Sequence, residues 1–220
     1  AAKIIGAEYQ GPQASFDAIS IDSRQISPGE LYIAIVGDQF DGHDFIQSAV
    51  EKGAIAVIAS MPVSTTVPCW QVQDTRQAFA ALASDHRQQM RAKVVGVTGS
   101  CGKTTVKMLL SQIFSLHGNT LASQRSFNND IGVPLTLMQL KRDHQYGVCE
   151  MGANHPGEIA TLTHMVRPDV AIITNAAAAH LEGFGDVPGV ACAKGEIFQG
   201  LGSDGVAILN ADDQYHDFWR

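Results

Sequence analysis

The chain has 220 residues, of which 45% are hydrophobic and 17% are charged, a composition typical of soluble globular proteins. Its formal net charge is −7 and it has no run of lysine or arginine, which argues against nucleic acid or an anionic membrane surface as the main partner. The four cysteines form no CxxC pair, the N-terminus lacks a signal-peptide core, and no apolar stretch is long enough for membrane insertion. We therefore expect a cytoplasmic protein in a reducing compartment.

The first 92 residues are expected to form a small α/β domain. Short apolar runs predict strands at residues 17–22, 31–35, 54–59 and 69–72. Two helices are predicted, one over residues 44–53 that ends at Gly53 and one over residues 74–90 that begins with Asp74 as its N-cap.

From Lys93 onwards, strand, loop and helix alternate. Apolar runs predict strands at residues 93–98, 146–151, 169–174 and 205–210, with helix candidates between them. This alternation is typical of a parallel sheet with helices on its faces, and such sheets bind ligands at the carboxyl ends of their strands. Polar residues follow each of these strands, so we expect the functional site of this region at that edge.

A glycine-rich loop, TGSCGKTT, follows the first of these strands at residues 98–105. A strict P-loop has a glycine five residues before Gly102, where this chain has Val97. Gly99 and Gly102 nevertheless let the backbone approach phosphate oxygens, and the helix that follows directs its N–H groups at them. Lys103 can neutralise phosphate charge and the Thr104 hydroxyl can ligate Mg²⁺, so the loop predicts nucleotide binding.

The shortened loop T-G-x-x-G-K-T resembles that of the Mur ligases, the cytoplasmic amide-bond-forming enzymes of peptidoglycan synthesis. Residues 22–45 resemble the UDP-binding N-terminal segment of that family. The stretches FNNDIGVPLTL, EMGANHPGEI and AAAHLEGFGDVPGVACAKGEIF, at residues 127–137, 150–159 and 177–198, are similar to the member that adds a dipeptide. The resemblance implies a UDP-substrate-binding domain at residues 1–92 and the first part of a central P-loop ATP-binding domain at residues 93–220.

The resemblance assigns ATP to the glycine-rich loop, that is, to Thr98, Gly99, Ser100, Cys101, Gly102, Lys103, Thr104 and Thr105. It also implies Mg²⁺ ions held by Thr104, Glu150, His180 and Lys194, with Lys103, Glu150, His180 and Lys194 as catalytic residues. In the family, the lysine at the position of Lys194 is carbamylated by CO₂ and helps to hold the second metal ion. From the residues alone, Glu150 at a strand end can reach a phosphate-bound Mg²⁺, whereas a structural histidine and a surface lysine are ordinary alternatives for His180 and Lys194.

Substrate contacts are implied by resemblance in two places. The N-terminal segment supplies Ser23, Arg24, Asp41, Gly42 and His43, and the FNND stretch supplies Asn128 and Asn129. For the two asparagines a simple turn is an equal alternative, because Asn-Asn-Asp favours side-chain to backbone hydrogen bonds. Asn175 and Asn210 end two further predicted strands and are candidates for the adenine region.

The implied reaction joins two substrates at the expense of ATP. ATP phosphorylates the terminal carboxylate of a UDP-N-acetylmuramoyl tripeptide, and the amine of D-alanyl-D-alanine attacks the acyl phosphate to give an amide, ADP and phosphate. Positive groups at the loop neutralise the approach of one anion to another. Family members carry a third, C-terminal domain, so we expect substrate binding but little or no ligase turnover from these residues alone, and we expect a monomer.

Other functions share parts of this pattern. A diaminopimelate- or lysine-adding Mur ligase, or a folylpolyglutamate-synthase-like relative, would have the same loop. A small-molecule P-loop kinase or a nucleotide-dependent switch would need no UDP site. A UDP site at residues 22–45 therefore distinguishes a ligase from a kinase or a switch.

Overall fold

A computed structural model of the chain describes residues 2–10, 15–16, 18–37, 39–124 and 127–220. It divides into two units, Ala1–Asp85 and His86–Arg220, and each unit has its own five-stranded sheet. The division falls inside the helix that the sequence places at the end of the first domain. Within the described ranges, no helix is long and apolar enough to cross a membrane.

The first unit consists of short strands and helices, with a 3₁₀ turn before its second helix. Its elements are α1 (Ala2–Ile5), β1 (Glu8–Gln10), β2 (Ala18–Ser20), β3 (Glu30–Ile33), the 3₁₀ turn Gly42–Phe45, α2 (Ile46–Glu51), β4 (Ala56–Ala59), β5 (Cys69–Gln71) and α3 (Thr75–Gln89). The four predicted strands are confirmed, although Asp17, the first residue of the predicted strand 17–22, lies outside the described residues. The sequence did not predict α1 or β1.

The two predicted helices of this unit are confirmed, with local causes that the sequence indicates. α3 begins after Asp74, whose side chain accepts hydrogen bonds from the backbone N–H groups of Arg76 and Gln77. α2 ends before Gly53, whose φ of 110° lies in the region that favours glycine.

The first sheet has the strand order β1-β5-β4-β3-β2. Strands β2, β3, β4 and β5 are parallel, and β1 is antiparallel to β5 at one edge. Strands β3 and β4 are buried along most of their length, as in α/β sheets covered on both faces. The carboxyl ends of β2, β3 and β4 therefore meet at one edge, where residues 21–24, 34–37, 39–45 and 60 follow them.

The second unit alternates strands with helices throughout. Its elements are β6 (Lys93–Thr98), α4 (Lys103–Ser115), β7 (Thr120–Ala122), α5 (Gly132–Met138), β8 (Tyr146–Glu150), α6 (Glu158–Val166), β9 (Val170–Ile173), α7 (Leu181–Phe184), α8 (Val187–Gly195), the 3₁₀ turn Glu196–Gly200, β10 (Val206–Leu209) and α9 (His216–Trp219). The predicted strands are confirmed as β6, β8, β9 and β10. The sequence missed β7, because a three-residue strand has no apolar run to mark it.

The second sheet is parallel throughout, with the strand order β10-β9-β6-β8-β7. This confirms the α/β, parallel-sheet prediction. β6, which leads into the glycine-rich loop, lies between β8 and β9, and Val97 pairs in register with Glu150. The strand that ends in Glu150 is therefore the direct neighbour of the loop strand.

The helix after the loop, α4, buries a narrower face than its apolar pattern indicates. Val106, Leu110 and Phe114 pack on a core formed by β6 and β8. Leu109 and Ile113, which continue the apolar pattern, are about half exposed. Lys107 lies on the packed face and is buried. A buried lysine on the inner side of this helix requires a polar partner.

Candidate functional site

The glycine-rich loop owes its shape to two glycines. Gly99 has a φ of 144°, and a Cβ at this position would overlap the Thr174 side chain. Gly102 has a φ of 80° and precedes α4 without any side-chain cap. Gly102 has no side chain that could accept hydrogen bonds from the first N–H groups of α4. These N–H groups are therefore available to a phosphate, which helix N-termini bind favourably.

The loop is held in place by the end of strand β9. Asn175 accepts the Ser100 N–H at its backbone oxygen and the Cys101 N–H at its side-chain Oδ1, both at 3.0 Å. The Thr174 hydroxyl donates to the Cys101 carbonyl at 2.6 Å. The N–H groups of Ser100 and Cys101 are thus used to hold the loop in place. The N–H groups of residues 102–105 remain to be directed at a phosphate. The sequence indicates Asn175 only as a candidate for the adenine region and does not indicate this role.

Lys103 lies folded against its own loop. Its ammonium donates to the Gly99 carbonyl at 2.6 Å and to the Ser100 carbonyl at 3.5 Å. Burial, the largest effect, lowers the pKa of Lys103, and the negative charge of Glu150 partly opposes this. The lysine therefore lies at the phosphate-binding end of α4, within the electrostatic reach of Glu150.

A buried carboxylate stands beside the loop. Glu150, which is 1% exposed, accepts a hydrogen bond from the Thr104 hydroxyl at Oε2 (3.0 Å) and from the Asn128 amide at Oε1 (2.9 Å). The Lys107 ammonium lies 3.3 Å from Oε2. We call Thr104, Lys107, Asn128 and Glu150 the Glu150 cluster. The sequence predicted three of its members and missed Lys107, although its spacing from Leu110 and Phe114 places it on their face of α4.

The Glu150 cluster fits a Mg²⁺ ion in its donor chemistry. A carboxylate and a hydroxyl, already in contact at the end of a phosphate-binding loop, are the hard oxygen ligands that Mg²⁺ takes together with phosphate oxygens and water. In the part of the chain that the structure describes, no three histidine, cysteine or acidic side chains come together as a protein-only metal site. The further ligands of a Mg²⁺ ion here would be phosphate oxygens and water.

Lys194 is an almost fully buried lysine in α8, with 2% of its surface exposed. Its ammonium lies 5.3 Å from the centre of the Phe184 ring and has no hydrogen-bond acceptor among the described residues. Burial, and to a smaller extent the positive charge of Lys103, lower the pKa of Lys194 to about 8. The negative charges of Glu196 and Glu158 act in the opposite direction. A large fraction of Lys194 is therefore a neutral amine in mildly alkaline solution.

His180 lies in the turn before α7 and is exposed. Its φ is 53°, which is uncommon outside glycine, and its carbonyl accepts the Gly183 N–H at 3.0 Å. A Cβ at Gly183 would overlap the Asn154 carbonyl oxygen, so this turn packs closely on the loop after β8. Within the described ranges, the His180 ring forms no hydrogen bond or ion pair with Thr104, Glu150 or Lys194. The structure thus brings together Thr104, Glu150 and Asn128 but does not bring His180 to them.

Asn129 serves the local backbone. Its side-chain oxygen accepts the Gly132 N–H at 2.9 Å, at the start of α5. Asn129 therefore stabilises a local turn, which is one of the two alternatives that the sequence left open. Asn128 instead donates a hydrogen bond to Glu150.

In the first unit, the predicted substrate residues lie at the carboxyl edge of β2, β3 and β4. Arg24 forms a bidentate ion pair with Asp22, at 2.9 and 2.8 Å, and lowers the pKa of that carboxyl to about 2. Ser23 is buried, and its carbonyl accepts a hydrogen bond from Lys52 at 2.9 Å. The Arg24 side chain is 83% exposed, so it is available to a ligand.

The His43 side chain is 5% exposed, and both of its ring nitrogens are engaged. Nε2 accepts the Ser60 N–H at 2.9 Å, so the ring proton lies on Nδ1, which is 2.6 Å from the Asp41 carboxylate. Gly42 is required for close packing, because a Cβ there would lie 2.6 Å from the Ile35 nitrogen. The contacts of His43 and Gly42 therefore position the loop after β3, and Asp41 caps the 3₁₀ turn that follows.

Comparison with known proteins identifies the family. The model described as "Mur ligase middle domain" matches residues 97–220, and the model described as "Mur ligase family, catalytic domain" matches residues 15–98. The chain belongs to the Mur ligase family. The resemblance to the Mur ligases that the sequence motifs indicate is thereby confirmed.

Particular Mur ligases are similar to this chain along its whole length. A UDP-N-acetylmuramoyl-tripeptide–D-alanyl-D-alanine ligase of Escherichia coli (strain K12) is 50% identical over 99% of the chain and 48% of its own length. The crystal structure of MurF from Acinetobacter baumannii superposes with a TM-score of 0.95 at 37% identity, over 100% of this chain and 49% of that one. MurF from Thermotoga maritima, solved in complex with ADP, gives 0.83 at 32% identity, over 89% and 46%. This Mur ligase chain spans about half the length of these relatives.

Replacement of Gly183 by alanine tests the packing of the His180 turn in this Mur ligase chain. We expect Gly183→Ala to lower the free energy of unfolding by about 1–3 kcal/mol, because the added methyl group must displace the Asn154 backbone. Gly202→Ala is the matched control, since nothing lies within 4 Å of a Cβ there. Urea unfolding of both variants measures the difference, and equal stabilities would contradict the close packing.

The buried amine of Lys194 predicts a pH dependence of stability. Because its folded-state pKa of about 8 lies below the ordinary 10.5, the unfolded chain binds more protons between these values. The free energy of unfolding should therefore gain on the order of 3 kcal/mol from this group as the pH rises from 8 to 10.5. Denaturant titrations without metal or bicarbonate measure this gain. Lys194→Met should lose it, whereas the control Lys141→Met, at an exposed lysine, should keep it. An identical pH profile in Lys194→Met and the unmodified chain would refute the assignment.

Proposed function

We propose that this chain provides the UDP-substrate and ATP sites of a ligase that joins D-alanyl-D-alanine to a UDP-N-acetylmuramoyl tripeptide in peptidoglycan precursor synthesis. The observation that carries the proposal is the Glu150 cluster, a buried carboxylate held against a phosphate-loop threonine in a chain similar throughout to ligases of that name. The ADP bound to the Thermotoga maritima relative supports ATP as the nucleotide.

The second unit would bind and activate ATP. The N–H groups of residues 102–105 and the Lys103 ammonium would hold the phosphates at the N-terminus of α4. Thr104 and Glu150 would hold Mg²⁺, which supplies charge neutralisation when it is bound. These groups oppose the repulsion between the γ-phosphate and the carboxylate of the muramoyl peptide, so that phosphoryl transfer can give an acyl phosphate.

Lys194 and His180 are proposed as ligands of a second Mg²⁺. The burial and lowered pKa of Lys194 support this role, because a carbamate forms from a neutral amine and CO₂. Carbamylation would convert a buried cation into an anion and so remove the repulsion from Lys103. His180 would have to reach the metal from its exposed turn.

The first unit would bind the UDP end of the muramoyl peptide. We assign direct contacts to Ser23, Arg24 and Asp41, and a positioning role to Gly42 and His43, whose own contacts are internal. Asn128 and Asn129 would shape the substrate side of the Glu150 cluster. The position of these residues at the carboxyl ends of parallel strands supports the assignment.

We also propose a cytoplasmic monomer that neither inserts into membranes nor binds nucleic acid. The net charge of −7 and the absence of basic runs in the sequence support the absence of nucleic-acid binding. D-alanyl-D-alanine is proposed as the amine substrate from the names of the relatives alone.

Calorimetric titration tests the proposal. We expect the chain to bind UDP-N-acetylmuramoyl tripeptide and, separately, Mg-ATP. Replacing Ser23 and Arg24 together by alanine should weaken binding of the UDP compound by at least about tenfold, or ~1.4 kcal/mol, and leave Mg-ATP binding unchanged. Arg91→Ala, at an exposed arginine of the second unit, is the control and should bind both ligands normally.

One result would refute the ligase assignment, and another would refute the assignment of the substrate site. Binding of Mg-ATP without any binding of the UDP compound would indicate a kinase or a nucleotide switch. Binding of the UDP compound that is unaffected by the Ser23 and Arg24 replacements would place the substrate site elsewhere.

A further inference from the structure

Lys107 is the one member of the Glu150 cluster to which the proposed reaction assigns no role. Its side chain is 4% exposed and that of Glu150 is 2% exposed, and their charged atoms are 3.3 Å apart. An ion pair this deeply buried is stabilising only with good geometry and further hydrogen bonds. Thr104 and Asn128 supply those bonds to the carboxylate.

Thr104, Lys107 and Asn128 are distributed unequally between the two carboxylate oxygens of Glu150. Oε1 faces Asn128, whereas Oε2 receives both the Thr104 hydroxyl and the Lys107 ammonium. Thr104 and Lys107 lie three residues apart on α4, so one face of the helix presents both groups to the same oxygen. The orientation of the carboxylate is thereby tied to the helix that begins at the phosphate-binding loop.

We propose that Lys107 is a positioning residue, which holds Oε2 of Glu150 against Thr104 and thereby determines how much Mg²⁺ strengthens ATP binding. The proposal rests on the proposed ATP and Mg²⁺ sites. The metal-free contribution to ATP binding is assigned to the N–H groups of residues 102–105 and to Lys103. Because Lys107 acts on Oε2 of Glu150, a proposed ligand of Mg²⁺, its effect should be confined to the part of the affinity that Mg²⁺ adds.

Two other roles for Lys107 make different predictions. A cation that simply attracts the phosphates would strengthen ATP binding with and without Mg²⁺. A purely structural ion pair would raise the stability of the second unit and leave the gain from Mg²⁺ unchanged in any variant that still folds.

The experiment compares ATP affinity in excess EDTA with ATP affinity in excess Mg²⁺, by calorimetry on the whole chain. The variants are Lys107→Met, Lys107→Gln, Glu150→Gln and the double variant Lys107→Met/Glu150→Gln, with Lys141→Met as the exposed control. Thermal unfolding of each variant establishes that it is folded. Lys107→Gln keeps an N–H donor on a shorter side chain and is the second variant if Lys107→Met does not fold.

We expect the Lys107 variants and Lys141→Met, once shown to be folded, to bind metal-free ATP within about twofold of the unmodified chain. The gain from Mg²⁺ should fall by at least about tenfold in Lys107→Met or Lys107→Gln and equally in Glu150→Gln. The double variant should show no further loss, because both replacements remove the same oriented carboxylate. Lys141→Met should keep the full gain.

Three results would overturn the proposal: an intact gain from Mg²⁺ in a folded Lys107 variant, an equal loss of affinity with and without Mg²⁺, or failure of both Lys107 variants to fold. The last would assign Lys107 to stability alone. An unmodified chain that does not bind ATP contradicts the proposed function itself, a result that is distinct from all three because it needs no variant.

Discussion

A buried carboxylate at the end of β8 is the constraint around which the second unit is organised. Removal of Glu150 from water is unfavourable unless charged and hydrogen-bonding partners surround it. Those partners come from α4 and from the turn before α5, so strand, helix and turn must converge on one point. The same convergence places an acidic oxygen beside the N-terminus of α4, where phosphate binding is favourable.

The conformation of the loop depends on its neighbours as much as on its own glycines. Asn175, from the adjacent strand, engages two of its amides, and the packing of Thr174 requires a glycine at position 99. Parallel pairing of β6 with both β8 and β9 brings these groups to the loop. The parallel sheet thus places Thr174 and Asn175, which hold the loop, on one side of it and the Glu150 carboxylate on the other.

Much of this arrangement is predictable from sequence, because strand alternation predicts a parallel sheet and a parallel sheet brings its carboxyl ends together. Glu150 was expected beside the loop on that basis, and the family resemblance added the substrate residues. Lys107 was missed because periodicity treats a lysine as solvent-facing, although α4 exposes Leu109 instead. The internal contacts of His43 were also beyond reach, since they depend on Ser60, which is distant in sequence. Side-chain partners across elements are set by packing, which a single sequence does not encode locally.

The most direct test of the central claim is a crystal structure of the chain with Mg²⁺ and a non-hydrolysable ATP analogue. We expect phosphates at the N–H groups of residues 102–105 and a metal ion about 2.1 Å from both the Thr104 hydroxyl and Oε2 of Glu150. We also expect Lys107 to remain in contact with that carboxylate. A nucleotide bound away from the loop, or a metal ion that Glu150 does not ligate, would contradict the account.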